Sequence, residues 1–106
     1  MTLILSPAHL AIVREILQAH LPPASRIWAF GSRAGGRVKP YSDLDLLIDA
    51  GRRLTSAESV DLADAFTESD LPWKVDVIDR HTTSASFLQV IEPHLIPVLP
   101  IGQPAA

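Results

Sequence analysis

The chain has 106 residues, of which 47% are hydrophobic, and it carries a formal net charge of −3. This length suits one domain, and the apolar fraction is sufficient for one core. The negative charge argues against nucleic-acid binding through bulk electrostatic attraction. The absence of cysteine excludes disulfides and thiolate metal sites.

The first predicted element is a helix that follows Ser6. Ser6 is a favourable N-cap and Pro7 suits the first helical position, while Pro22 and Pro23 end the helix. The residues before it are apolar but lack the basic segment that opens a signal peptide, and no stretch is long enough to span a membrane. We therefore expect a cytoplasmic protein.

Strands and helices alternate in the rest of the chain. A capping box at Thr55 and Glu58 marks the start of one helix, and Pro97 restricts the last strand to a sheet edge. The predicted strands span residues 26–30, 44–49, 74–78 and 95–99, and the further predicted helices span 32–35, 55–69 and 84–91.

This alternation of elements predicts the α/β class. We expect a single domain over residues 1–106, in which 102–106 form a mobile tail. The helices should cover one face of the sheet. The other face, which carries acidic side chains, should stay open.

An aspartate pair opens the second predicted strand. Alternate residues of a strand point to the same face, so Asp43 and Asp45 lie side by side. Two adjacent carboxylates repel each other, and a divalent cation between them removes the repulsion. Mg²⁺ is commonly held by one or two carboxylates together with substrate phosphates. The pair is therefore a candidate metal site.

A third carboxylate comes from the third predicted strand. If Val75 and Val77 face the helices, Asp76 falls on the same face as the aspartate pair. Asp79 is the competing candidate, but it falls on the other face or beyond the strand end. A solvated turn acid is the more typical role there, so we prefer Asp76.

A candidate phosphate site lies directly after the first predicted strand. Gly31 lets the backbone approach a ligand closely, and Ser32 offers a hydroxyl and an N–H where a helix is expected to begin. Arg33 either contacts a triphosphate or forms a surface salt bridge. The following loop carries two further cations, Arg37 and Lys39, which could reach phosphates.

Other interpretations of these residues are weaker. Ser32 lacks the G-x-S-x-G context of a nucleophile, and a P-loop would need Lys and Ser or Thr where Arg37 and Val38 stand. Arg52 and Arg53 are expected in a solvated turn. The histidines show no paired metal spacing, and we expect structural or exposed roles for them.

The spacing of these motifs resembles a known signature. Gly31-Ser32, ten intervening residues and then Asp43-Leu44-Asp45 resemble the signature of the DNA polymerase β-like nucleotidyltransferase superfamily. At this length the chain resembles the minimal nucleotidyltransferases. The resemblance covers roughly residues 26–99, and it implies a mixed sheet rather than an all-parallel one.

The resemblance implies transfer of a nucleoside monophosphate, typically AMP from ATP, to a hydroxyl. Asp43 and Asp45 would bridge two Mg²⁺ ions, and Asp76 would bind the ion that activates the attacking hydroxyl. The triphosphate contacts would come from Gly31, Ser32 and Arg33.

A partner protein is also implied by the resemblance. Minimal nucleotidyltransferases are often paired with a small HEPN-domain protein in toxin–antitoxin systems. The acceptor would then be a tyrosine of a HEPN toxin, this chain would be the antitoxin, and the two chains would form a hetero-oligomer.

Two other functions remain open. The chain could be a non-catalytic antitoxin that covers its partner, or a small-molecule nucleotidyltransferase that acts alone. The intact carboxylates argue against the first, because a relic site is free to lose repelling charges. Gly35, which stands where many members of the superfamily have Arg, argues weakly for it. The short length disfavours the second.

Overall fold

The computed structural model of the chain describes residues 5–31 and 43–99. The predicted helical turn at 32–35, the loop cations and the tail at 102–106 lie outside the described residues. The elements, in chain order, are α1 (Pro7–His20), β1 (Arg26–Phe30), β2 (Leu44–Asp49), α2 (Ser56–Thr67), β3 (Val75–Asp79), α3 (Ala85–Ile91), a 3-10 turn (Glu92–His94) and β4 (Ile96–Leu99).

Side-chain caps fix where the helices begin. Ser6 Oγ accepts the backbone N–H of His9 at 3.1 Å at the start of α1. At α2, Thr55 Oγ1 accepts from Glu58 N at 3.1 Å while Glu58 Oε1 accepts from Thr55 N at 2.9 Å. These contacts satisfy N–H groups that have no partner within a helix. They confirm the helix starts predicted from Ser6 and from the Thr55 capping box.

The four strands form one mixed sheet in the order β3-β2-β1-β4. β1 is antiparallel to both of its neighbours, whereas β2 and β3 are parallel. The α/β class and the mixed sheet are thus confirmed. β4 pairs with β1 alone among the described strands, and its Pro97 is exposed, as expected for an edge strand.

The main core lies between one face of the sheet and helices α1 and α2. Strand residues at alternate positions supply one side of it, because side chains of a strand alternate between faces. The helices supply the other side. Its fully buried members include Val13, Leu17, Ile27, Ala29, Leu44, Leu46, Ile48 and Leu62.

Helix α3 packs against the opposite face of the sheet. Phe30, Leu47 and Ile91 are buried there, and Trp28 and Ile78 pack around them. The second face is therefore open only in part, whereas we expected helices on one face. The physical reason is that this face carries large apolar side chains as well as aspartates, and the apolar side chains need cover.

Candidate active site

Pairing of β1 with β2 brings the glycine and the aspartate pair together. Phe30 is the register partner of Asp45, and Gly31 follows Phe30 directly. Gly31 has a φ of +80°, a conformation that side chains with a β-carbon rarely adopt. A β-carbon at Gly31 would overlap Asp45 Oδ2 and lie 3.3 Å from Asp45 Cγ. The backbone of residue 31 therefore packs directly against the Asp45 carboxylate.

Pairing of β2 with β3 brings in the third aspartate. Asp45 is the register partner of Asp76, and partners in adjacent strands point to the same face. The backbone N–H of Leu44 donates to Lys74 O at 2.9 Å, which anchors this register at the start of both strands. Asp43 lies immediately before β2 and is exposed. The structure thus gathers all three predicted aspartates at one corner of the sheet.

The aspartates influence one another electrostatically. Partial burial, followed by the negative charges of Asp76 and Asp43, raises the pKa of the Asp45 carboxyl. A raised pKa means that the ionised form of Asp45 is disfavoured in this surrounding. A bound cation would reverse that preference. The carboxylate oxygens are hard ligands, which suits Mg²⁺.

Asp76 has a lysine neighbour. Lys74 Nζ lies 3.4 Å from Asp76 Oδ1, with 72% of the lysine side chain and 41% of the aspartate side chain exposed. An ion pair this exposed contributes about 0–1 kcal/mol. Over residues 5–31 and 43–99, no three histidine or acidic side chains are assembled into a group that could hold a metal ion. The three aspartates therefore share a corner without converging on one point.

Asp79 has a structural role. Its Oδ2 accepts the backbone N–H of Leu54 at 2.8 Å, and its Oδ1 accepts that of His81 at 2.9 Å. It lies on the core side of the sheet, as predicted, but it is not the solvated turn acid that we expected. The physical reason is that two loop N–H groups need acceptors at this end of the sheet.

A second polar cluster, at the far end of β2, was missed by sequence reasoning. Asp49 Oδ1 lies 2.7 Å from His81 Nε2 and accepts Gly51 N–H at 2.9 Å, and Arg80 lies 3.5 Å from Asp49 Oδ2. Burial raises the pKa of Asp49, but the hydrogen bonds from His81 and Gly51 and the nearby positive charges outweigh it, so the pKa is lowered overall. The cluster links two loops.

Arg52 is exposed in its turn, as predicted, and it also has an acidic partner. It forms a two-pronged pair with Glu58 at 2.7 and 2.8 Å, and this pair, together with the Thr55 N–H, lowers the pKa of Glu58 to about 2. The predicted phosphate contacts Ser32 and Arg33 lie outside the described residues. Their roles stay predictions.

A comparison with known protein families identifies the class of this protein. A family model described as "Nucleotidyltransferase domain" matches residues 10–102. The chain belongs to this nucleotidyltransferase family, which confirms the resemblance and makes the protein an enzyme of the transferase class.

One curated relative is similar over most of the chain. It is the "Probable protein adenylyltransferase MntA" of Haemophilus influenzae, 51% identical over 82 residues, which are 77% of this chain and 71% of the relative.

Two solved structures have a similar fold. A crystal structure of a toxin–antitoxin with AMP-PNP matches with a TM-score of 0.74 and 23% identity, over 89% of this chain and 75% of the other. A mutant of the toxin–antitoxin MntA-HpeT matches with a TM-score of 0.66 and 20% identity over the same shares. At identities this low, the two matches show a common fold and nothing further.

No helix among the described residues combines the length and the hydropathy that crossing a bilayer requires.

Proposed function

We propose that this chain is a Mg²⁺-dependent protein adenylyltransferase. It moves AMP from ATP onto the hydroxyl of a tyrosine in a partner HEPN-domain toxin. In this proposal the chain is the antitoxin of a cytoplasmic toxin–antitoxin pair. The observation that carries it is the corner where Gly31 packs against Asp45 and where Asp45 is the register partner of Asp76. The 51% identical relative is named a probable protein adenylyltransferase, which supports a protein as the acceptor.

Asp43, Asp45 and Asp76 would hold the two Mg²⁺ ions of this proposal. Bound Mg²⁺ would polarise the phosphoryl oxygens and offset the charge that develops in phosphoryl transfer. Burial, together with the negative charges of Asp76 and Asp43, raises the pKa of Asp45, and a bound cation would offset both effects.

The remaining residues would position ATP and the acceptor. Gly31, which lacks a side chain, would let the backbone approach the triphosphate closely while it packs against the Asp45 carboxylate. Ser32 and Arg33 would donate to the triphosphate. Asp76 would accept a hydrogen bond from the attacking hydroxyl, orient it and take up its proton. The hydroxyl oxygen would form a bond to the α-phosphorus of ATP as the bond to the β-phosphate breaks and pyrophosphate leaves.

Intact-mass measurement of the partner tests the proposal. The purified chain, MgATP and the toxin encoded beside its gene should give a toxin heavier by one adenylyl group per transfer. Asp43→Asn and Asp45→Asn should abolish the gain, whereas Asp61→Asn, an exposed acid of α2, should not. Unchanged transfer in the first two variants would remove the metal assignment.

The second candidate is a non-catalytic antitoxin that silences its partner by covering it. The Lys74–Asp76 pair favours it, since a lysine already neutralises part of the acidic corner without a metal. The two candidates differ in their need for ATP. Full inhibition of the toxin without ATP, and without any mass gain, would support covering alone.

A further inference from the structure

Among the strands that the structure describes, β3 lies at an edge of the sheet. Over residues 5–31 and 43–99, β2 is its one neighbouring strand. Lys74 O accepts from Leu44 N, and Arg80 N donates to Ile48 O, both at 2.9 Å. Alternate residues of a strand direct their backbone groups to opposite sides.

It follows that residues 74, 76, 78 and 80 use their backbone groups toward β2. Val75 and Val77 then direct their N–H and C=O groups outward. Such a row of outward groups is a template for pairing with another extended chain.

A groove runs along this edge, between β3 and α2. It has a volume of about 610 Å³, within the range of roughly 300–1,000 Å³ that is usual for ligand sites. Phe66, Trp73 and Val77 contribute apolar walls, and Ala63 contributes to the α2 side. Asp76 also borders the groove. The edge, the groove and the acidic corner are therefore continuous.

The face alternation of a strand determines what an added strand would present. A residue paired with Asp76 would lie on the same face, with β-carbons about 4.5–5.5 Å apart, which places a hydroxyl side chain beside the carboxylate. Its two sequence neighbours would point to the opposite face, toward Val75, Val77 and the groove. The geometry thus favours an added strand in which the residue paired with Asp76 carries a hydroxyl and its two sequence neighbours are apolar.

We propose that the β3 edge and its groove bind an extended segment of the acceptor protein as an added strand, so that a hydroxyl residue of that segment lies beside Asp76. The inference rests on the proposed function, and it adds where and in what conformation the acceptor binds. A polypeptide is the occupant that the edge fits, because extended backbone repeats N–H and C=O at the spacing of Val75 and Val77. The carboxylate at the rim and the net charge of −3 oppose nucleic acid.

Binding is tested without ATP, using short synthetic peptides. One peptide has a tyrosine flanked by isoleucine and valine, and a scrambled peptide of equal composition has its tyrosine flanked by serines. The first should slow hydrogen exchange at the Val75 and Val77 amides, and the second should not. Equal protection by both peptides, or no protection at millimolar peptide, would overturn the proposal.

A groove-filling variant gives a second test with a matched control. Ala63→Trp should weaken binding of the first peptide about tenfold, since it fills the space for an apolar side chain. Ala57→Trp makes the same change on an exposed position of α2 and should leave binding within about twofold. Melting temperatures of both variants verify folding.

The outcomes separate this inference from the proposed function. Weaker ATP binding in Ala63→Trp with unchanged peptide binding would make the groove a nucleotide site and overturn the docking proposal. Peptide protection at β3 in a protein that never transfers AMP would support docking and refute the proposed function.

Discussion

Replacing Gly31 with alanine should distort the acidic corner. In the described part of the chain, two glycines have positive φ angles, +80° at Gly31 and +78° at Gly51. A β-carbon at Gly51 would meet nothing within 4 Å, whereas one at Gly31 would collide with the Asp45 carboxylate. Gly51→Ala is therefore a matched control, because it carries the backbone strain without the collision.

The two contributions have separate magnitudes. A left-handed backbone costs a residue with a β-carbon about 1–2 kcal/mol, which is the whole cost expected for Gly51→Ala. Turning Asp45 away from its rotamer adds about 0.5–1.5 kcal/mol, so Gly31→Ala should cost about 1.5–3.5 kcal/mol. Since 1 kcal/mol shifts the melting temperature of a domain of this size by about 4–8 °C, the difference between the variants is measurable.

Thermal unfolding, together with a transfer assay, checks this reasoning. Gly31→Ala should unfold at a lower temperature than Gly51→Ala and lose transfer, because Asp45 is displaced. In an Asp45→Ala background the added cost at Gly31 should fall to that of Gly51→Ala, since no carboxylate remains to collide with. Equal losses at the two glycines, or no relief in the double variant, would refute the close packing of Gly31 on Asp45.

Three further predictions concern Asp45, the choice of Asp76 over Asp79, and Ser32. Because the pKa of Asp45 is raised in the folded state, ionisation of Asp45 destabilises the fold. This destabilisation is complete at a pH above the pKa of the folded state and absent at a pH below the ordinary carboxyl pKa. Asp45→Asn should therefore raise the melting temperature at neutral pH but not at strongly acidic pH, and a lower value at neutral pH would contradict this. Asp76→Asn should lose transfer but keep nucleotide binding. Asp79→Asn should keep transfer and lose about 1–3 kcal/mol of unfolding free energy, because one loop N–H loses its acceptor. The reverse pattern would show that Asp79, and not Asp76, is the third carboxylate of the site. Ser32→Ala should weaken ATP binding by about 1.5–3 kcal/mol, the contribution of a hydrogen bond to a charged group, and unchanged affinity by calorimetry would exclude that role.

Local signals in the sequence predicted the local structure well. Thr55 and Glu58 satisfy each other's N–H groups within one turn, so the capping box could be recognised without any tertiary information. Face alternation likewise placed Asp76 opposite Val75 and Val77, and the β2–β3 register then set it beside Asp45.

Contacts between distant segments could not be predicted in the same way. The hydrogen bond from Leu54 N–H to Asp79 joins residues 25 positions apart, on either side of α2, and no local pattern indicates it. Helix α3 covers Phe30 and Leu47, which lie on the same face of the sheet as the aspartates. One face therefore carries both apolar side chains that need burial and carboxylates that need solvent or a cation. Residues 32–42, which carry Ser32 and Arg33, lie outside the described part, and their roles rest on the motif alone.

The pairing of β1 with β4 has a consequence for the order in which the domain folds. β1 bears the glycine turn at its end, yet one of its two neighbours is the last strand described in the chain. Val98 of that strand is 1% exposed, and its carbonyl accepts from Arg14 Nε of α1 at 3.1 Å. Contacts between segments so far apart in sequence form late and slow folding. The domain therefore completes its core only after β4 has been synthesised and has paired with β1.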